Sequence, residues 1–198
     1  MRGHDESYYL SKEVTSHNKV PSLIKLYPDA KFIVSLRRSN DFMNSLLALV
    51  KQSTLSKTGI DPMTIPGWEK TFIKRMQEDS LRLRDLCENE ITPDRQVRIM
   101  FDDFSHHISR SLSLVYQRYG LVMGEEMLSY LKNLEESQAN RERGYSYDVT
   151  SFSGFEDFDQ FVCRAQSELE RFMEAYTAND GLAPAVAEEK LNLLRQIS

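Results

Sequence analysis

Lys31-Phe32-Ile33-Val34-Ser35-Leu36-Arg37-Arg38-Ser39-Asn40-Asp41, with Ser45 beyond it, decides how this chain is read. Phe32 to Leu36 is almost wholly apolar, which fits a central parallel strand better than a one-sided antiparallel one. Two arginines end the strand, and Ser39 stands where a helix N-cap belongs. Strand ends that run straight into helix N-termini are where open α/β folds collect phosphate ligands. A guanidinium is always charged and grips phosphate through two parallel hydrogen bonds. Ser45, eight residues after Arg37, lies about one and a half turns into the expected helix, within aim of the same anion. The segment therefore predicts an anion site. The plainer alternative is that the arginines cap the strand and pair with acids such as Asp41.

Outward from this segment, periodicity supplies the remaining elements. Upstream, Tyr8-Tyr9-Leu10 is a short strand candidate. Apolar residues at 20, 23, 24 and 27 predict a helix, broken by Pro28-Asp29-Ala30. Downstream, Phe42, Leu46, Leu49 and Val50 mark the buried side of the helix that Ser39 starts. Gly59, Pro62 and Pro66 predict a loop over Ser53 to Pro66. A long amphipathic helix is expected from Trp68 to about Asn89, with Phe72, Ile73, Met76, Leu83 and Leu86 on one side. Thr92-Pro93-Asp94 is a turn, and Val97 to Phe101 alternates as a strand that Asp102-Asp103 closes. Ile108, Leu112, Val115 and Tyr119 predict a helix ended by Gly120, and Glu125 to Glu135 predicts another. Ser137 to Ser153 is polar and aperiodic, long enough to imply a role. Phe155 to Tyr176 is strongly helical, and Leu182 to Ile197 is a last helix candidate.

That order gives an α/β class with a small, mostly parallel sheet in a single domain over 1–198, with 177–198 as a helical tail. Three strands are few for so many helices, so further strands are expected upstream of Met1. The composition is 40% hydrophobic and 28% charged over 198 residues, which suits a globular domain with a core. A net charge of −5 argues against a nucleic-acid partner. Cys87 and Cys163 lie in helical surroundings without metal-ligand spacing, and both read as reduced and half-buried. No metal is expected. No apolar run reaches the length of a membrane span, and the first residues are too polar for a signal peptide. A cytoplasmic location is the resulting expectation.

The run Leu26-Tyr27-Pro28-Asp29-Ala30-Lys31-Phe32-Ile33-Val34-Ser35-Leu36-Arg37, with Ser45 eight residues on, resembles the sulfotransferase superfamily. Those enzymes take a sulfuryl group from 3′-phosphoadenosine-5′-phosphosulfate (PAPS). The resemblance extends over residues 8–176 and implies a three-layer, P-loop-NTPase-like sulfotransferase fold. It implies that Arg37 and Ser45 hold the 3′-phosphate of PAPS. Many family members carry Asp-Pro after that arginine; this chain has Arg38-Ser39. Ile99-Met100-Phe101-Asp102-Asp103-Phe104 looks like the family's strand end beside adenine, which gives Phe101 a stacking role without a hydroxyl to donate. A Phe at a strand end is as readily a core residue. Arg141-Glu142-Arg143-Gly144 falls where the family has a basic loop, so Arg143 and Gly144 would cover the 3′-phosphate. Lys12 aligns with a family lysine near the transferred group. Sulfuryl transfer needs a base for the acceptor proton, and Glu13 and His17 are the two candidates.

One family signature is missing. No Gly- and Ser/Thr-rich turn of the kind that cradles a 5′-phosphosulfate through backbone N–H groups occurs in the sequence. The resemblance then implies an N-terminally incomplete domain, or a short form without the cradle. Weak or absent sulfotransferase activity is expected of this chain alone, because backbone donors of that kind are worth about 3 kcal/mol each in a transition state. A non-catalytic binding or interaction module with the same fold is the alternative. A nucleotide kinase relative is a third reading, opposed by the missing P-loop lysine. The acceptor, whether small molecule, glycan or peptide, is not legible. An exposed sheet edge would invite a homo-oligomer.

Overall fold

The structure is a computed structural model, and it describes residues 10–12, 18–139 and 150–177. It is a mixed α/β arrangement, mostly helical, around a two-stranded parallel sheet. The order is α1 (Val20–Leu26), β1 (Phe32–Leu36), α2 (Ser39–Thr58), α3 (Trp68–Asp85), β2 (Gln96–Met100), α4 (Phe101–His106), α5 (Ile108–Arg118), α6 (Glu125–Ala139) and α7 (Glu156–Thr177). Of the expected first strand, only Leu10 falls within the described residues, and it lies in irregular structure. The expected helix after Leu182 falls outside them.

The strands pair in register from Phe32 with Gln96 to Leu36 with Met100. Side chains alternate across a sheet, so this register sends two sets of residues to opposite faces. Val34, Leu36 and Met100 meet Phe158, Phe161, Val162 and Ala165 of α7 in the largest buried cluster. Val97 and Ile99 meet Leu114 and Val115 of α5 in a second. A third cluster, Val20, Leu86 and Ile91, seats α1. Phe42 of α2 joins the first cluster edge-on to Phe155 and Phe158, with ring centroids 5.8 and 6.1 Å apart.

The burial of the two strands reverses the expectation. β1 was expected to be the strand covered on both faces, yet Ile33 is 44% exposed and Ser35 is exposed beside it. β2 was expected to alternate, yet only Arg98 escapes full burial. The reason lies in what covers the sheet. Helix α5 covers Val97 and Ile99 of β2, and no described element covers their β1 neighbours Ile33 and Ser35.

Two further expectations are corrected. The stretch 53–58 is helical, because α2 continues to Thr58. Gly59 ends it at φ 71 with its N–H on the Leu55 carbonyl, a left-handed position that glycine fills without strain. Only 59–66 is irregular, apart from one 3-10 turn at Pro62–Thr64 whose Met63 N–H is capped by Asp61. The buried side of α2 also differs from the expected one. Ser39, Met43 and Asn44 are buried, while Leu49 is exposed. Long-range polar contacts at Ser39 and Asn44, described below, turn the helix in a way that apolar periodicity does not reveal.

The remaining helices lie close to expectation. Helix α3 runs on into a π turn, Leu86–Glu90. Buried Gln96 holds that turn, donating from Nε2 to the carbonyls of Cys87 at 2.7 Å and Ile91 at 2.6 Å. Gly120 ends α5 at φ 67. Cys87 and Cys163 are both free, but instead of half-buried, Cys87 is buried and Cys163 exposed. No described helix is long and apolar enough to cross a membrane.

Candidate functional site

Parallel pairing places the C-terminal ends of β1 and β2 side by side. Leu36 pairs with Met100, so Arg37 and Phe101, the next residue on each strand, emerge together. The Arg37 guanidinium carbon lies 4.8 Å from the centre of the Phe101 ring, within cation–π range. Arg37 Nε is 3.9 Å from Asp102 Oδ1. That separation permits Coulomb attraction but exceeds a hydrogen bond. Arg37 Nε is itself buried and has no hydrogen-bond partner among the described residues. A buried donor without an acceptor carries an uncompensated desolvation cost of about 1–3 kcal/mol, more when charged. The strand end therefore presents a positive charge, an aromatic face and one unsatisfied N–H.

The start of α2 is arranged differently from the sequence expectation. Ser39 is the first helical residue and not the N-cap; Arg38 holds the cap position and makes no side-chain cap bond. The fully buried Ser39 gives its N–H to Asp159 Oδ1 at 2.8 Å and its hydroxyl to Asp159 Oδ2 at 2.5 Å. Asp159 sits in the first turn of α7, 120 residues away in sequence. A carboxylate is the charge a helix N-terminus prefers, and here the protein supplies it. The Ser39 amide is therefore taken and is not open to a ligand anion at this strand end.

Ser45 is half-buried on α2. Its position is about 9 Å along the helix axis from Ser39 at 1.5 Å per residue, and no hydrogen bond joins it to Arg37 among the described residues. Its neighbour Asn44 is a buried anchor. Asn44 Nδ2 donates to the Asn40 carbonyl at 2.7 Å and the Thr150 carbonyl at 2.9 Å, and Asn44 Oδ1 accepts from Thr150 N–H at 2.9 Å. Asn40 Oδ1 accepts from Phe152 N–H at 2.9 Å. Residues 150–152 are thus strapped onto the first two turns of α2. Phe101 opens α4 instead of ending β2, and it is 41% exposed. It is neither a core residue nor a bare platform, since Arg37 covers one face.

Arg38 is exposed. Lys12 is exposed in irregular structure, and among the described residues no contact ties it to Arg37, Ser45 or Phe101. Glu13, His17, Arg143 and Gly144 lie outside the described residues. The structure thus brings Arg37 and Phe101 together, keeps Ser45 on the adjoining helix, and, among the described residues, does not link Lys12 to them. Sequence reasoning missed Asp102 as a partner of Arg37 and Asp159 as the closure of α2. Asp102 was legible as a strand-end acid. Asp159 reads only as a first-turn acid of an amphipathic helix, and nothing local announces a partner so distant.

The fold and site define a mixed α/β protein with a cationic strand end. The chain matches no protein-family model, no curated protein and no solved structure.

Proposed function

We propose that the strand-end site binds a nucleotide phosphate, with Arg37 as its anion grip and Phe101 as its aromatic neighbour. The carrying observation is the buried, unpartnered Arg37 Nε beside the exposed Phe101 at the paired strand ends. With the sequence resemblance, this supports a sulfotransferase-like protein whose donor is PAPS, on a P-loop-NTPase-like three-layer fold. Arg37 and Ser45 are proposed for the 3′-phosphate, Phe101 for the base, and Arg143 and Gly144 for cover over the phosphate. Lys12, with Glu13 or His17, is the proposed catalytic set, and the acceptor is a hydroxyl or amine.

The residues fit the two ends of that donor unequally. The unsatisfied Arg37 N–H suits the 3′-phosphate. No described group offers the row of backbone donors that the 5′-phosphosulfate requires, and the Ser39 amide is bound to Asp159. Bound PAPS would supply the sulfuryl group, and the chain's own residues here neutralise and orient its nucleotide end. Sulfuryl turnover is therefore expected to be weak or undetectable. The second reading, a non-catalytic binding module, is favoured by that same Asp159 closure.

Melting temperature under titration with adenosine 3′,5′-bisphosphate, alongside a PAPS turnover assay, separates the readings. A shift that disappears in Arg37→Ala supports the nucleotide site. Absence of any shift removes it, and steady turnover by the purified chain removes the binding-module reading.

A further inference from the structure

We infer that Asp102 is the resident counter-ion of Arg37 and the group that an incoming phosphate displaces. This inference rests on the anion-site reading above and deepens it. Asp102 stands two residues past the last pair of the strand register, on the neighbouring strand end. Its Oδ1 lies 3.9 Å from Arg37 Nε. It gives the guanidinium Coulomb attraction without satisfying the N–H, since a hydrogen bond needs about 2.7–3.2 Å. The Phe101 ring lies against one face of the guanidinium. The carboxylate is therefore a poor permanent ligand for this cation.

It is also an easily displaced one. The Asp102 side chain is 63% exposed, against 24% for Arg37. Releasing a solvated carboxylate forfeits little, because exposed ion pairs contribute at most about a fifth to a third of what a buried broken pair costs. A phosphate carries more charge than the carboxylate, and a guanidinium can offer an anion two parallel N–H groups. Among the described residues Asp102 is the one acid within ion-pair distance of Arg37, and Asp159 is engaged by Ser39. Asp102 thus offsets part of the cation's charge and lowers the affinity of the site for outside anions.

Calorimetric binding of adenosine 3′,5′-bisphosphate to the full chain tests this, using wild type, Asp102→Asn, Asp102→Ala, Arg37→Ala and the Arg37→Ala/Asp102→Asn double variant. Both Asp102 variants should bind about two- to fivefold tighter than wild type, the fold-change that corresponds to an exposed pair. The double variant should bind no tighter than Arg37→Ala. Two substitutions at an exposed position guard against a failure to fold. Unchanged or weaker binding by both Asp102 variants overturns the inference, while loss of wild-type binding in Arg37→Ala still upholds the site. Binding by wild type that Arg37→Ala leaves intact overturns the site reading instead. No binding by wild type overturns the site reading and the inference with it.

Discussion

Two residues, Asp159 and Arg37, carry the polar logic of the strand end, and each has a distinct cost of removal. Asp159 holds both the N–H and the hydroxyl of buried Ser39. Hydrogen bonds to a charged group are worth about 1.5–3 kcal/mol each, and the two bonds share one acceptor group. Asp159→Ala should therefore cost about 2–4 kcal/mol in chemical denaturation, while Asp159→Asn, which can keep both contacts, should cost clearly less. Arg37→Ala should change stability by less than about 1 kcal/mol, because the lost ring contact is offset by removal of an unsatisfied buried N–H. Burial pushes the Cys87 thiol up to about 11 from 9.0, against the opposing pull of Arg98. Burial also pushes the Tyr119 hydroxyl up to about 12 from 10.0, while its bond to the Phe32 carbonyl at 2.7 Å belongs to the neutral, proton-donating form. For both groups the folded state holds its proton longer than the unfolded state. Their stabilisation is complete below about pH 9, and it is lost as pH rises towards 12. A thermal melt series across that range should show falling stability, and Cys87→Ala should blunt the fall between pH 9 and 11. An undiminished fall in that variant would remove Cys87 from the account.

At the scale of elements, the sequence exposed local patterns and concealed the distant ones. Helices α1, α3, α5, α6 and α7 follow from apolar periodicity, and the strand-to-arginine segment from its composition. The parallel pairing of β1 with β2 agrees with the expected class. What stayed hidden depends on partners far along the chain. Asn44 looks like a surface residue of α2 until Thr150 binds it on both sides. Strand burial depends on which helix covers which residue, and α5 covers β2 alone. The glycines make a test of local against tertiary control. A side chain at Gly59, φ 71, meets nothing within 4 Å, so Gly59→Ala should cost only the backbone strain, about 1 kcal/mol. At Gly154, φ 80, an added Cβ collides with the Gln77 side chain, whose Nε2 donates to the Ser153 carbonyl at 2.8 Å. Gly154→Ala should therefore be the more destabilising, by about 1 kcal/mol or more for the displaced hydrogen bond. Equal midpoints in urea would contradict this reading of how α3 meets the start of α7.

For the whole molecule, α7 and the sheet form the part that cannot be spared. Phe155, Phe158, Phe161 and Val162 are all buried, and the last three share one cluster with Val34, Leu36 and Met100. Phe161→Ala should cost about 3–5 kcal/mol, as large-to-small changes in a packed core do, which is a large share of a typical domain's stability. The same helix carries Asp159, so the core element that supports the sheet also closes the start of α2. Packing thus fixes the β1–α2 turn from which Arg37 projects, and function and stability meet at that turn. The central claim is that Arg37, aligned with Phe101 at the paired strand ends, is an anion grip for a nucleotide phosphate. Its most direct test is calorimetric titration of adenosine 3′,5′-bisphosphate into wild type and Arg37→Ala, with folding checked by melting. Saturable binding by wild type, weakened more than about tenfold in Arg37→Ala as loss of a charge-assisted contact requires, is the expected result. Equal affinity of the two proteins, or no binding by wild type, would contradict the claim.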